Sequence, residues 1–336
     1  MSELPPVLLV FAPALNRQLV SDAHRERLAK LGRVLEPEPL ASLDDPRAAP
    51  HLPEVEVLVT GWGCPRLDGG ALGRMPRLRA TFHAAGTVKN HVTMDCFERG
   101  IRVTSAAFAN GIPVAEFTVA AIVLANKRAF RAQRLYRRVK GFRLWSAELP
   151  GMGNHHKTVG IVGASRIGRM VMERLRGFDF ELLVSDPYLD DGEARALGAE
   201  PCALDDLLAR SDLVSLHAPA LPETRHMLDR RRLALLRDGA VLVNTARGAL
   251  VDHEALTDEL VSGRIDAVID TTDPEILPAD SPLWELDNAF LTPHIAGSQG
   301  TETRRMMDLA LDELERFVRG EPLRHEVRRE DWDRIA

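Results

Sequence analysis

The 336-residue chain has little cysteine, no surplus of positive charge and no apolar run long enough to span a bilayer. Its three cysteines, Cys64, Cys96 and Cys202, follow neither metal-ligand nor disulfide spacing. They read as small buried residues of a protein in a reducing cytoplasm, and no metal is expected. Lysine and arginine total 43 against 49 acidic residues, a net charge of −6, which argues against nucleic acid or an anionic membrane as a partner. The arginines are scattered or at helical spacing (Arg131, Arg134, Arg137, Arg138) and read as a solvated face. Phe117 to Ala125, the longest apolar segment, falls short of the roughly 20 residues a membrane helix needs. The N-terminus lacks a basic region followed by a long apolar core, so no secretory signal is expected. With 45% hydrophobic and 27% charged residues, the length suits two α/β domains with sizeable cores.

One stretch organises the rest. Lys157 to Asp186 reads KTVGIVGASRIGRMVMERLRGFDFELLVSD. An apolar run, Val159 to Val162, enters a turn at Gly163. Apolar residues at helical spacing follow (Ile167, Val171, Leu175, Phe178), then a second run, Phe180 to Val184. This is a strand–turn–helix–strand unit whose free helix N–H groups suit a pyrophosphate. Asp186, 18 residues after Gly168, is placed to accept hydrogen bonds from a ribose diol. The G-x-G-x-x-G pattern is incomplete: Ser165 stands where the second glycine is usual, adding a Cβ but also a hydroxyl.

Before this unit the chain alternates strands (Val7 to Phe11, Val55 to Val59, Leu78 to His83, Ile101 to Val103) with helices (Val20 to Leu31, His91 to Glu98). A long apolar helix is expected from Val114 to about Arg131, started by Pro113. The basic stretch Arg134 to His156 reads as irregular. After Asp186, strands are expected at Leu213 to His217, Ala240 to Asn244, Asp266 to Asp270 and Phe290 to Thr292. Helices are expected near Leu204 to Ala209, Arg230 to Leu236 and His253 to Ser262, with a last amphipathic helix from Thr301 to Val318.

Three ionisable residues sit at or just beyond expected strand ends: Arg247 in VNTARGALVD, Glu275 in DTTDPEIL and His294 in LTPHIAG. Loops beyond strand C-termini line the ligand crevice of open parallel sheets. A guanidinium grips a carboxylate by two parallel hydrogen bonds. Histidine exchanges protons near neutrality, and a carboxylate beside it favours its protonated form. Together the three would make a 2-oxo acid reductase site. Each has a plainer reading on spacing alone: Arg247 as a strand cap or surface ion pair, Glu275 as solvated loop charge, His294 as a satisfied core histidine.

From about Asn110 to Gly320 the chain resembles the D-isomer-specific, NAD-dependent 2-hydroxyacid dehydrogenases. The resemblance rests on GIVGASRIGR, the segment Leu216-His217-Ala218-Pro219 with PETRHML, LVNTARGALVDHEAL and LTPHIAG, in that order. It implies two Rossmann-like, doubly wound parallel α/β domains. The substrate domain would be formed by both chain ends, residues 1–104 and the returning helix 299–336, around an NAD-binding domain at 105–298. It implies Arg247 on the substrate carboxylate and carbonyl, His294 as acid/base and Glu275 as its carboxylate partner. Asp186 matches the ribose acid that favours NAD over NADP. Gly163, Ser165, Arg166, Ile167 and Gly168 match the pyrophosphate turn. His217, Pro219, Thr224, Thr245, Ala246, Ala296 and Gly297 match cofactor-lining positions, and Asp270 matches the partner of the nicotinamide amide. Trp62, Ala85, Gly86 and Thr87 are expected to face the substrate. The family also implies a homodimer acting on a small-molecule 2-hydroxy or 2-oxo acid. A cofactor-sensing corepressor on the same fold is the alternative from another functional class.

Departures from the family pattern concern the substrate. Val88 and Asn90 sit where Gly and Asp are common, and Thr60-Gly61-Trp62-Gly63 supplies no arginine for a phosphate, which speaks against 3-phosphoglycerate. No added regulatory domain is expected.

Overall fold

Short apolar runs become strands of two parallel sheets in the computed structural model, which describes residues 4–335. Contacts divide the chain into two units. One comprises the residues up to Gly111 and those from Ser298 on; the other is Ile112–Gly297.

The first unit has five strands, β1 (Pro6–Val10), β2 (Arg33–Val34), β3 (Val57–Thr60), β4 (Ala80–His83) and β5 (Arg102–Ser105). They lie in the order β2-β1-β3-β4-β5, with every pair parallel. Successive side chains of a strand point to opposite faces, and here both faces are covered. Val7, Leu9, Val57 and Val59 belong to one core, Leu8, Val10 and Leu58 to another. That is why the strands read as unbroken apolar runs rather than alternating ones. The helix Thr303–Arg319 supplies Met306, Met307, Ala310, Leu311 and Leu314 to the first of these cores. Their helical spacing makes one apolar stripe, so the last helix does return to the first unit's sheet.

In the second unit the strands are β6 (Lys157–Val162), β7 (Phe180–Ser185), β8 (Ala199–Pro201), β9 (Leu213–Leu216), β10 (Val241–Asn244), β11 (Asp266–Ile269) and β12 (Ala289–Leu291). Their order, β12-β11-β10-β9-β6-β7-β8, is all-parallel and reverses direction between β6 and β9. Such a switch point opens a crevice beyond the strand carboxyl ends, where ligands of this architecture bind. The turn at Gly163 follows β6, so the sheet places it there.

The connection between glycine turn and first unit departs from expectation. The apolar helix spans Ala107–Asn126, starting seven residues before Val114, with Pro113 inside it. Pro113 forfeits one N–H bond to the preceding turn without ending the helix. The helix is 20 residues long and carries a window of mean hydropathy 1.7, enough by length and composition to cross a membrane, so the limit drawn from Phe117–Ala125 was too short. Its side chains Ala115, Ala121, Ile122 and Ala125 are buried in the second unit's core. Arg134 to His156 is not irregular throughout: helices form at Ala129–Val139 and Trp145–Glu148. Neither has a fully buried residue, but Phe130 of the first stacks on Phe290 and packs against the second unit's core. The arginines here are less solvated than expected. Arg131 pairs with Asp266 at 3.2 Å, Arg138 pairs with Asp287, and Arg134 donates to the Leu286 carbonyl. Phe178 lies beyond the helix Arg166–Leu175, 41% exposed, rather than on its buried face.

Candidate active site

The nucleotide turn is built by backbone crowding. Gly163 has φ +96°, and a Cβ there would stand 2.5 Å from the Ala218 nitrogen. A Cβ on Gly168 would stand 2.1 Å from the Gly163 oxygen. Both glycines are required, one for conformation and one for close approach. Ser165 is different, with φ −59°, where a side chain costs no backbone strain. Its Oγ accepts from the Gly168 N–H at 3.4 Å and caps the helix Arg166–Leu175. The missing glycine is therefore replaced by a helix cap. Arg166 begins the helix with no carboxylate partner among the described residues, and Ile167 follows it half-buried. Asp186 accepts from the Ala164 N–H at 2.7 Å and the Tyr188 N–H at 2.8 Å. A carboxylate has about four acceptor positions, so it keeps capacity for a ribose diol. This cradle, with helix N–H groups at its edge, fits a dinucleotide.

The other candidate cofactor positions divide by burial. His217 is 4% exposed, with Nε2 2.9 Å from Ser215 Oγ, and burial pushes its pKa down to about 3. Its imidazole is a neutral core group; its backbone packs against Gly163 and its Cβ against Gly168. Thr245 is buried against Thr118, Oγ1 to Oγ1 2.7 Å. Thr224 donates to the Pro219 carbonyl at 2.6 Å and accepts from the Leu221 N–H at 2.8 Å, which fixes that loop.

Arg247 lies in a turn set by a residue the sequence reading passed over. Asn244, the last residue of β10 and 1% exposed, donates from Nδ2 to the Arg247 carbonyl at 2.9 Å. It also accepts from the Ala246 N–H at 3.1 Å. The exposed Arg247 guanidinium donates to the Ala246 carbonyl at 2.7 Å and has no carboxylate partner among the described residues. Next to it, a Cβ on Gly248 would fall 2.1 Å from the Thr272 carbonyl carbon. Glycine thus lets the Arg247 turn press against the loop that leads to Glu275.

His294 and Glu275 do meet. Nδ1 stands 2.5 Å from Glu275 Oε1, with both side chains about half exposed. An ionised carboxylate only accepts, so Nδ1 carries the proton. Nε2 has no partner among the described residues and is left to give or take a proton. The backbone of His294 has φ +54°, a left-handed conformation costing a non-glycine residue about 1–2 kcal/mol. Asp270, 2% exposed, holds that turn. Its Oδ1 accepts from Thr292 Oγ1 at 2.6 Å and the Ile295 N–H at 2.8 Å, and Oδ2 accepts from the Ala296 N–H at 3.0 Å. The His294 N–H donates to the Asp270 carbonyl at 3.0 Å. Most of the carboxylate's capacity is thus spent on the histidine's own turn. Gly297 closes the unit, and Ile276 and Ile295, beside the pair, are exposed.

The residues expected to face substrate lie in the first unit, beyond its strand ends. Trp62 follows β3 and is 37% exposed. Ala85, Gly86 and Thr87 follow β4; Ala85 is buried, Gly86 and Thr87 partly so. No group of three or more metal-ligating side chains occurs among the described residues.

Residues 119–296 match the sequence model of the D-isomer specific 2-hydroxyacid dehydrogenase NAD binding domain, so the nucleotide of this unit is NAD. The chain is 30% identical to D-3-phosphoglycerate dehydrogenase of Methanocaldococcus jannaschii over 90% of its own length and 57% of that protein's. It thus spans little more than half the length of such relatives. Against glyoxylate/hydroxypyruvate reductase B of Pectobacterium carotovorum, identity is 36% over 90% of this chain and 93% of the other. A crystal structure of D-lactate dehydrogenase from Aquifex aeolicus with NAD and lactic acid superposes with a TM-score of 0.72 and 26% identity, covering 94% of this chain and 96% of that one. The chain belongs to the D-isomer-specific 2-hydroxyacid dehydrogenase family.

Proposed function

We propose that the protein is an NAD-dependent oxidoreductase interconverting a D-2-hydroxy acid and its 2-oxo acid. The observation that carries this reading is the His294–Glu275 pair at 2.5 Å, with Nε2 unpartnered. Bound NADH supplies the hydride. His294, protonated on both nitrogens, gives its Nε2 proton to the developing alkoxide and recovers it in the reverse direction. Glu275 holds Nδ1–H, which fixes the ring and steadies the imidazolium. The unpaired Arg247 guanidinium grips the carboxylate and polarises the carbonyl. Asp270, Asn244 and Gly248 set the turns from which these side chains project.

A 2-oxo acid with an aromatic or branched side chain suits the half-exposed Trp62 better than glyoxylate does. The turn Thr60–Gly63 offers no arginine to a phosphate, which sets this chain apart from a 3-phosphoglycerate enzyme. The protein is read as a cytoplasmic homodimer; exposed Tyr136, Phe142 and Leu144 after the second unit's first helix support a self-association surface.

The test is NADH oxidation with glyoxylate, hydroxypyruvate, pyruvate, phenylpyruvate and branched 2-oxo acids. His294→Gln should slow turnover by about 10²- to 10⁴-fold with NADH binding retained. Unchanged turnover refutes the acid/base role. NADH binding without reduction of any acid in the panel favours a cofactor-sensing protein instead.

A further inference from the structure

Ala164, inside the glycine turn, is gripped at both backbone groups by side chains from different elements. Its N–H donates to Asp186 Oδ2 at 2.7 Å, and its carbonyl accepts from Arg169 Nε at 3.0 Å. The helix Arg166–Leu175 uses neither group: the Gly168 N–H goes to Ser165 Oγ and the Arg169 N–H to the Ser165 carbonyl. Arg169 reaches further, from Nη2 to Glu193 Oε2 at 3.0 Å, on the helix Asp191–Ala196. Asp190 caps that helix by accepting from the Glu193 N–H at 2.8 Å, and Asp186 Oδ1 orders the start of the same loop through the Tyr188 N–H at 2.8 Å. A closed ring of contacts thus runs from the turn through Asp186 and its loop to Glu193, and back through Arg169 to Ala164.

The ring fixes two successive peptide planes. Asp186 holds the Gly163–Ala164 peptide by its N–H, and Arg169 holds the Ala164–Ser165 peptide by its carbonyl. In a planar trans peptide the N–H points opposite to the carbonyl. With the Ala164 carbonyl drawn toward Arg169, the Ser165 N–H is turned away from it. The N–H groups of Ser165, Arg166 and Ile167 have no acceptor among the described residues. A bond from a guanidinium is charge-assisted and roughly twice as strong as a neutral one. The Arg169–Glu193 pair, by contrast, is about 40% and 49% exposed at its side chains, where ion pairs add little to stability.

We propose that Arg169 is a positioning residue for NAD, whose Nε holds the Ala164–Ser165 peptide so that the free N–H groups of the turn are presented to the pyrophosphate. This rests on the turn being the place where NAD is held. Arg169 acts through Ala164: its own donors are directed at the Ala164 carbonyl and at Glu193.

The test compares Arg169→Met, which keeps the stem but no donor, with Arg169→Gln, whose amide nitrogen takes the place of Nε but falls short of Glu193. In Arg169→Met the NADH Kd from a fluorescence titration should rise about tenfold, equivalent to 1.4 kcal/mol. Arg169→Gln should stay within about threefold of the parent, and so should Glu193→Ala, which breaks the ion pair alone. A role confined to joining the two helices would make Gln and Glu193→Ala fall as far as Met, and that result overturns the proposal. An unmoved Kd in Arg169→Met overturns it as well. Amide hydrogen exchange over residues 163–169, faster in Arg169→Met than in the parent or Arg169→Gln, reads the turn without any nucleotide, and equal rates refute the proposal. A parent that binds no NADH overturns the nucleotide reading of the turn instead, and the exchange rates still decide whether Arg169 sets it.

Discussion

Replacing Asp270 by Asn tests how His294, the proposed acid/base, is held. The carboxylate accepts from Thr292 Oγ1, the Ile295 N–H and the Ala296 N–H, all within 3.0 Å. Asparagine can keep its oxygen toward Thr292 and Ile295, but its NH2 then faces the Ala296 N–H, donor against donor. One charge-assisted bond is lost, worth about 1.5–3 kcal/mol, and a buried N–H is left unpaired. That is comparable to the roughly 1–2 kcal/mol of left-handed strain at His294 that the carboxylate offsets. At 1.36 kcal/mol per factor of ten, a shift of about 2–3 kcal/mol in the turn should lower kcat by roughly 30- to 160-fold. Steady-state NADH oxidation measures kcat, and a fluorescence titration measures NADH affinity. Retained affinity with depressed kcat is the signature of a positioning carboxylate. A partner of the nicotinamide amide would instead lose NADH binding. Unchanged kcat refutes the argument from the turn.

Two further outcomes follow from the same geometry. Ser165→Gly should leave NADH affinity within about threefold, because glycine caps a helix only a few tenths of a kcal/mol less well than serine; a tenfold change either way would show that the hydroxyl or its Cβ acts on the phosphates directly. Buried His217 and His91 have pKa values pushed down to about 3 and about 4 from 6.5. A depressed histidine pKa means the unfolded chain takes up protons first as pH falls, so stability is full above 6.5 and declines below it toward the folded values. At pH 5 each costs about 2 kcal/mol, at 1.36 kcal/mol per unit. Urea unfolding at pH 7.5 and 5 should show His217→Asn losing about 2 kcal/mol less than the parent, and equal losses would refute the account.

The fold was largely legible because its strands are buried on both faces. Val7–Val10 and Val57–Val59 announce themselves as apolar runs, and Met306, Met307, Ala310, Leu311 and Leu314 as one helix stripe. The helix Ala129–Val139 was missed because its packing face is short: Phe130 stacks on Phe290 against the core, and arginines make up most of the rest. The family motifs named Arg247, Glu275 and His294, but spacing could not say what supports them. Asn244 and Gly248 act through backbone groups of their neighbours and of a loop some 24 residues away, contacts that no periodicity encodes. His83 reads as any histidine ending a strand until Thr60 is brought to it.

The two carboxylates around His294 differ in burial, and burial assigns their work. Glu275 is 59% exposed at its side chain, and an exposed ion pair contributes about 0.2–1 kcal/mol to stability. So small a contribution gives folding little reason for a carboxylate there, whereas the orientation of the imidazole depends on it directly. Asp270 is 2% exposed, and a buried carboxylate must be compensated by hydrogen bonds. The donors it gathers are the N–H groups and hydroxyl of the histidine's own turn, so the cost of burying it is offset by ordering that turn. Exchanging the environments would undo this: an exposed Asp270 would not hold a left-handed residue in place.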